Sequence, residues 1–183
     1  YLEKRALFVE DVEFRREVIR HKGRSVARLD GRITRPLYEP FVDEEKWGIY
    51  DDAAEGKYNP FFQSVLCGEV FPMLGIKTDR NFVNSHSLWR KWKYEMKERN
   101  TAQSLSAAMR RTPNMRVFFI NGWYDICTQI GILYYTLDHS DLPRERVFVK
   151  GYPAGHMTYL GEDNIQAVAD DIYKFILGGD PTE

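Results

Sequence analysis

From residue 113 onward the chain alternates strand and helix periodicity twice over, and that alternation leaves few folds open. Pro113-Asn114 breaks the preceding segment. Residues 116–121 are a short apolar run, and 129–138 place Ile130, Leu133, Tyr134 and Leu137 on one helical face. A second apolar run covers 146–152. Asp163, with Gln166 three residues on, makes a capping-box-like start for a last helix. Its stripe is Ile165, Val168, Ala169, Ile172 and Ile176, and Gly178-Gly179 closes it. Strand, helix, strand, helix predicts an α/β arrangement of two neighbouring parallel strands joined by a right-handed crossover.

Residues 1–112 are of another kind, charged and aromatic with few β-branched runs. Residues 11–21 read as a short amphipathic helix with Val12, Phe14, Val18 and Ile19 among charges, ended by Gly23. Residues 25–29 alternate weakly, Asp30-Gly31 is a turn signal, and Pro36 and Pro40 extend the next stretch. A second helix is expected over 60–74, with Phe62, Val65, Leu66 and Met73 near one face and Pro72 near its end. Trp89, Trp92 and Met96 fall at helical spacing, and 101–111 reads as a short helix with Leu105, Ala108 and Met109 inward. Two regions follow, a mostly helical part over 1–112 and an α/β part over 113–183.

Charge and cysteines narrow the function classes. The 26 basic and 27 acidic residues leave a net charge of −1, which gives no electrostatic reason to expect nucleic acid. No apolar run approaches the roughly 20 residues a membrane span needs. Cys67 and Cys127 lack metal-ligand spacing to another Cys or His, and no cofactor is expected. They could pair only with Cα atoms within about 7 Å. Cys67 falls in an apolar helical stretch and reads as a small core residue.

Two residues stand where chemistry is done in such folds. Asp125 follows the first apolar strand and His156 the second, at the carboxyl ends where open α/β sheets place their ligands. Asp then His, about thirty residues apart, is the later part of a Ser…Asp…His order. The Asp125 carboxylate could accept the Nδ1 proton of His156 and stabilise the imidazolium. The plainer alternatives are a helix cap for Asp125 and an ordinary loop histidine for His156. Glu162 and Asp163 lie too close to His156 in sequence to be preferred as its partner. Gly23-Arg24-Ser25-Val26-Ala27 imitates a nucleophile elbow, but no apolar strand precedes Ser25 and no helix follows it. Cys127 could line the site. Without a nucleophile before Asp125, the chain is expected to be part of an enzyme.

The ordered set of these motifs resembles the serine carboxypeptidases, particularly their bacterial relatives. It runs from Arg28-Leu29-Asp30-Gly31-Arg32 through Asn121-Gly122-Trp123-Tyr124-Asp125 and Tyr135-Thr136-Leu137-Asp138-His139 to Pro153-Ala154-Gly155-His156-Met157. The resemblance implies the C-terminal part of an α/β-hydrolase fold, with 1–112 as the helical cap and its return to the core. It implies that Asp125 is the triad acid, that His156 is the general base and that Met157 borders the pocket for the leaving residue. The nucleophilic serine, the oxyanion hole and the carboxylate-gripping groups would lie upstream, and the substrate would be a peptide. It also leans towards a secreted or periplasmic setting. Acyltransfer on the same fold, or a non-catalytic interaction module, are the alternatives. Two parallel strands alone leave open edges, so the partners expected are the missing N-terminal half or further copies of the chain.

Overall fold

Val117-Phe118-Phe119-Ile120 and Val147-Phe148-Val149 are β-branched and aromatic runs, the residue types that fit a pleated, covered surface. The computed structural model describes residues 11–37, 52–80, 82 and 101–183. Its contacts divide the chain into two compact units. One holds Arg28–Arg32 and everything described from residue 101 onward; the other holds Val12–Ala27 and the described part of Ile33–Tyr94.

In the first unit the two runs form strands paired in parallel, Val117–Gly122 and Val147–Tyr152, with Val117 opposite Val147 and Gly122 opposite Tyr152. We call them β3 and β4, after two short strands of the other unit, Arg24–Val26 (β1) and Thr34–Pro36 (β2). Five helices are likewise numbered in chain order: Asp11–Glu17 (α1), Asp52–Val65 (α2), Ala102–Arg111 (α3), Ile130–Asp138 (α4) and Glu162–Ile176 (α5). Helix α4 is the crossover between β3 and β4. The expected strand–helix–strand–helix order is therefore present, and mixed α/β structure with a small parallel sheet is the observed class.

Alternation along each strand decides which helix covers which face. Val117, Phe119, Val147 and Val149 pack on a core of Met109 from α3, Leu137 from α4 and Leu142. Phe118 and Phe148 turn the other way, onto the Phe175 ring of α5 at 5.5 and 5.9 Å. The Arg116 guanidinium lies 4.6 Å over both Phe148 and Phe175 and donates to the Phe175 carbonyl at the end of α5. Arg146 does the same for α3, its Nη1 lying 2.8–3.1 Å from the carbonyls of Met109, Thr112, Pro113 and Met115.

Helix α5 differs from its expected form at both its start and its face. Its N-cap is Gly161, at φ 101°, and no side chain caps it, so the Asp163–Gln166 box does not form. Gln166 donates instead to Asp170. The face turned to the sheet carries Val168, Asp171 and Phe175. Asp171 accepts from Lys150 Nζ at 2.9 Å and from the Tyr152 hydroxyl at 2.5 Å. Burial would raise the Asp171 carboxyl, but the Lys150 and Tyr152 hydrogen bonds outweigh it and hold it below its ordinary value. Ile165, Ile172 and Ile176 of the expected stripe are exposed, as is Tyr134 of α4.

The second unit holds the larger departures. Helix α1 stops at Glu17 and a 3-10 turn at Arg20–Lys22 leads to Gly23, at φ 63°. Its buried residue is Arg15; of the expected face Val12 and Ile19 are half-buried while Phe14 and Val18 are exposed. Strands β1 and β2 pair antiparallel, Ser25 opposite Arg35. The second helix begins at Asp52 rather than residue 60, so Pro60 is interior to α2. A π-turn at Leu66–Val70 and a short turn at Phe71–Met73 complete it. Cys67, expected in a core, is exposed in that π-turn. The Trp89, Trp92 and Met96 segment and Pro40 lie outside the described residues. Among the described residues no helix is long and apolar enough to cross a membrane.

Candidate active site

The β3–β4 ladder does not stop at the strand ends, and its continuation holds two loops side by side. Trp123 N donates to the Tyr152 carbonyl at 2.9 Å and Tyr124 N to the Ala154 carbonyl at 3.0 Å. Two glycines permit this closeness. A Cβ on Gly122 would stand 2.0 Å from the Gly155 carbonyl oxygen, and one on Gly151 would stand 2.4 Å from the Trp123 ring. The first loop carries Asp125 and the second His156.

The structure brings these two side chains together. His156 Nδ1 lies 2.8 Å from Asp125 Oδ2. A carboxylate only accepts, so the proton of this pair sits on Nδ1 and leaves the Nε2 lone pair available as a base. The Asp125 side chain is 2% exposed and that of His156 41%, so the acid is sealed beneath an imidazole open to solvent. Burial alone would push the Asp125 carboxyl up. The hydroxyl and amide of Thr128 and the His156 imidazole outweigh it and hold the carboxyl below its ordinary value.

The capping alternative for Asp125 is met only in part. Helix α4 takes Gln129 as its N-cap. Asp125 Oδ1 instead accepts from the amides of Cys127 at 2.7 Å and Thr128 at 3.0 Å, folding its own loop. The Thr128 hydroxyl donates to Oδ2 at 2.5 Å and lies 3.3 Å from His156 Nδ1. Thr128 was not singled out in the sequence; its signal is an Asp followed by a hydroxyl residue three positions on, a local side-chain–backbone motif.

Asp125, Cys127 and His156 also place one ligand-type atom each within 4.8 Å of one another. The two Asp125 oxygens already accept four hydrogen bonds, about the number of lone pairs a carboxylate offers. A metal would have to displace Thr128 or His156 from them, so the arrangement suits an acid–base pair better than a cation. Met157 follows directly and is half-buried. Glu162 and Asp163 occupy the first turn of α5, away from the pair's hydrogen bonds. Ser25 is buried in β1, which continues through Val26, so no strand-to-helix turn presents its hydroxyl. A separate cleft of about 450 Å³ runs along α3 and α4, lined by residues such as Leu105, Phe119 and Leu133, and includes no residue of the two loops.

The lowered Asp125 carboxyl has a sign for stability. A group whose folded value is depressed stabilises fully above its unfolded value, about 3.9, and loses that contribution as pH falls through the folded one. Acid unfolding followed by circular dichroism is expected to show stability dropping below about pH 4, with a shallower drop in Asp125→Asn. Identical profiles would mean that the buried carboxylate contributes nothing to folding.

No family model matches this chain, and comparison with curated proteins and with solved structures likewise finds no match.

Proposed function

We propose that these residues form the acid–base part of a serine-type carboxypeptidase of the α/β-hydrolase fold. The observation that supports this most is the 2.8 Å contact between a sealed aspartate and an open histidine at the carboxyl ends of adjacent parallel strands. On this reading the nucleophilic serine and its oxyanion hole are supplied by chain upstream of Tyr1. The serine oxygen attacks the last peptide carbonyl and His156 Nε2 takes its proton. His156 then returns the proton to the departing amino group, and Asp125 stabilises the imidazolium between the two transfers. Water repeats the sequence to release the acyl group. Met157, next to the base, borders the pocket of the departing residue. The 183 residues alone are then without peptidase activity.

The exposed Ile165, Ile172 and Ile176 on α5 favour a chain completed by further structure, since a stripe of this kind normally meets another surface. The substrate assignment has its own test. Blocked dipeptides with a free or an amidated C-terminus are offered to the protein carrying both this chain and its upstream part. Release of the last residue from the free acid, strongly preferred over the amide, is the expected result. Equal turnover of both, or of neither while simple esters are cleaved, would remove the carboxypeptidase assignment.

A further inference from the structure

The segment Arg28–Arg32 belongs to the same compact unit as β3 and β4, although it is separated from them by some ninety residues of chain. Its main chain binds both loops of the candidate site. Gly31 N donates to the Tyr124 carbonyl at 2.8 Å, and Ile126 N donates to the Arg28 carbonyl at 3.0 Å, so the Asp125 loop is held on either side of the carboxylate. His156 N donates to the Leu29 carbonyl at 2.7 Å, which fixes the main chain of the histidine itself. The approach is so close that a Cβ on Gly155 would stand 2.4 Å from the Leu29 oxygen and 2.6 Å from Asp30 Cβ.

The side chains of the segment tie it to the same loops. Asp30 is buried, with 4% of its surface exposed. Arg32 forks onto it, Nε to Oδ1 at 2.9 Å and Nη2 to Oδ2 at 2.7 Å, and the Arg32 amide adds a third bond to Oδ1 at 3.0 Å. The remaining Nη1 donates to the Pro153 carbonyl at 2.9 Å, three residues before His156. The guanidinium plane also lies 4.6 Å over the Tyr124 ring, one residue before Asp125. One cation therefore touches a buried acid, the histidine loop and the aspartate loop. A planar fork with five fixed donors can do this; an ammonium cannot.

We propose that Asp30 and Arg32 are positioning residues that hold His156 in register with Asp125. The proposal rests on reading Asp125 and His156 as a catalytic pair. Neither strand ladder reaches as far as His156, and among the described residues its main chain is held by the hydrogen bond to Leu29. Without this clip of Arg28–Arg32 the loop would keep its sequence and its glycines but lose the contacts that set the ring against the carboxylate. Displacement of a reacting group by about 1 Å costs roughly 10²-fold in rate. The ionisable groups around the ring are Asp125 and Cys127 on one loop and, through the loop backbone, Asp30 and Arg32.

The protein carrying this chain and its upstream part serves for the test, by nuclear magnetic resonance. The proton on His156 Nδ1, bonded to Asp125, gives a far-downfield signal whose exchange with water reports how well the pair is held. Asp125→Asn is expected to remove this signal. Asp30→Asn and Arg32→Lys are expected to broaden it or speed its exchange by roughly tenfold or more, while the amide signals of β3 and β4 stay dispersed. Arg110→Lys, which weakens the exposed pair with Asp141, is expected to leave it alone. If Asp30→Asn unfolds the chain, Arg32→Lys decides, because its side chain is 46% exposed and keeps its charge. A wild-type signal in Arg32→Lys, with Asp125→Asn removing it, would overturn the clip and leave the pair standing. A signal that survives Asp125→Asn would overturn the pair, and the clip with it.

Discussion

Replacing His156 with alanine is expected to lower kcat/KM for release of a C-terminal residue by about 10⁴- to 10⁶-fold. The measurement is steady-state turnover of a blocked dipeptide by the protein carrying this chain together with the upstream nucleophile proposed for it. The size of the effect follows from the imidazole's double duty. On the proposed mechanism it removes the serine proton in the attack and protonates the leaving amine, so its loss would disable both steps. The geometry leaves no obvious substitute. The Asp125 carboxylate is sealed, with a side chain 2% exposed, and all its lone pairs are engaged by Thr128, Cys127 and the imidazole itself. The fall should appear in kcat, because a group that acts on the proton in flight contributes little to ground-state binding. A variant retaining a tenth or more of the activity would mean that His156 is an ordinary loop residue.

The second large effect is on stability, and it comes from a residue that carries no chemistry. Gly122 ends β3 where the two loops meet, and a Cβ there would stand 2.0 Å from the Gly155 carbonyl oxygen and 2.4 Å from that of Ala154. Both are backbone atoms, so no side chain can turn aside to make room. Gly122→Ala should therefore cost about 3 kcal/mol, roughly 10 °C in Tm for a domain of this size. Because the displaced backbone is that of Gly155, the histidine beside it should shift away from Asp125. Gly131→Ala is the matched control. That glycine sits in α4 with open space around its Cα, and alanine there should be neutral or stabilise by up to about 1 kcal/mol. Equal melting temperatures for the two variants would show that the loops can separate without cost.

The contrast between the two units shows which physical signals a sequence exposes. Strands β3 and β4 were legible because their apolar runs are continuous and bounded, as strands covered on both faces should be. Asp125 and His156 were legible because they stand directly after those runs. Helix α5 lies where its periodicity places it and Val168 of the expected stripe faces the core, but Ile165, Ile172 and Ile176 do not. Asp171 takes a place on the sheet side that periodicity assigns to the isoleucines, by binding Lys150 and Tyr152. A half-buried polar cluster of this kind is invisible to hydrophobic periodicity.

The same blindness accounts for α1, where the buried residue is Arg15. The apolar spacing of Phe62, Val65, Leu66 and Met73 places the second helix from residue 60, yet α2 begins at Asp52 and Pro60 lies inside it. The clip over Arg28–Arg32 read only as a turn. Its partners, Tyr124, Pro153 and His156, lie about a hundred residues or more away, and no local pattern announces them. The carboxylate's hydroxyl partner, Thr128, lies three residues from Asp125, a local side-chain hydrogen-bond signal that hydrophobic periodicity does not carry.

The most direct test of the proposed catalytic pair is to trap the nucleophile it would activate. A serine-directed fluorophosphonate is added to the protein carrying this chain and its upstream part, and the labelled residue is located by mass spectrometry. The account predicts one label, on a serine upstream of Tyr1, formed quickly in the wild type and barely at all in His156→Ala. A label on Ser25 or elsewhere within the 183 residues, labelling at the same rate without His156, or no upstream serine to label would contradict it.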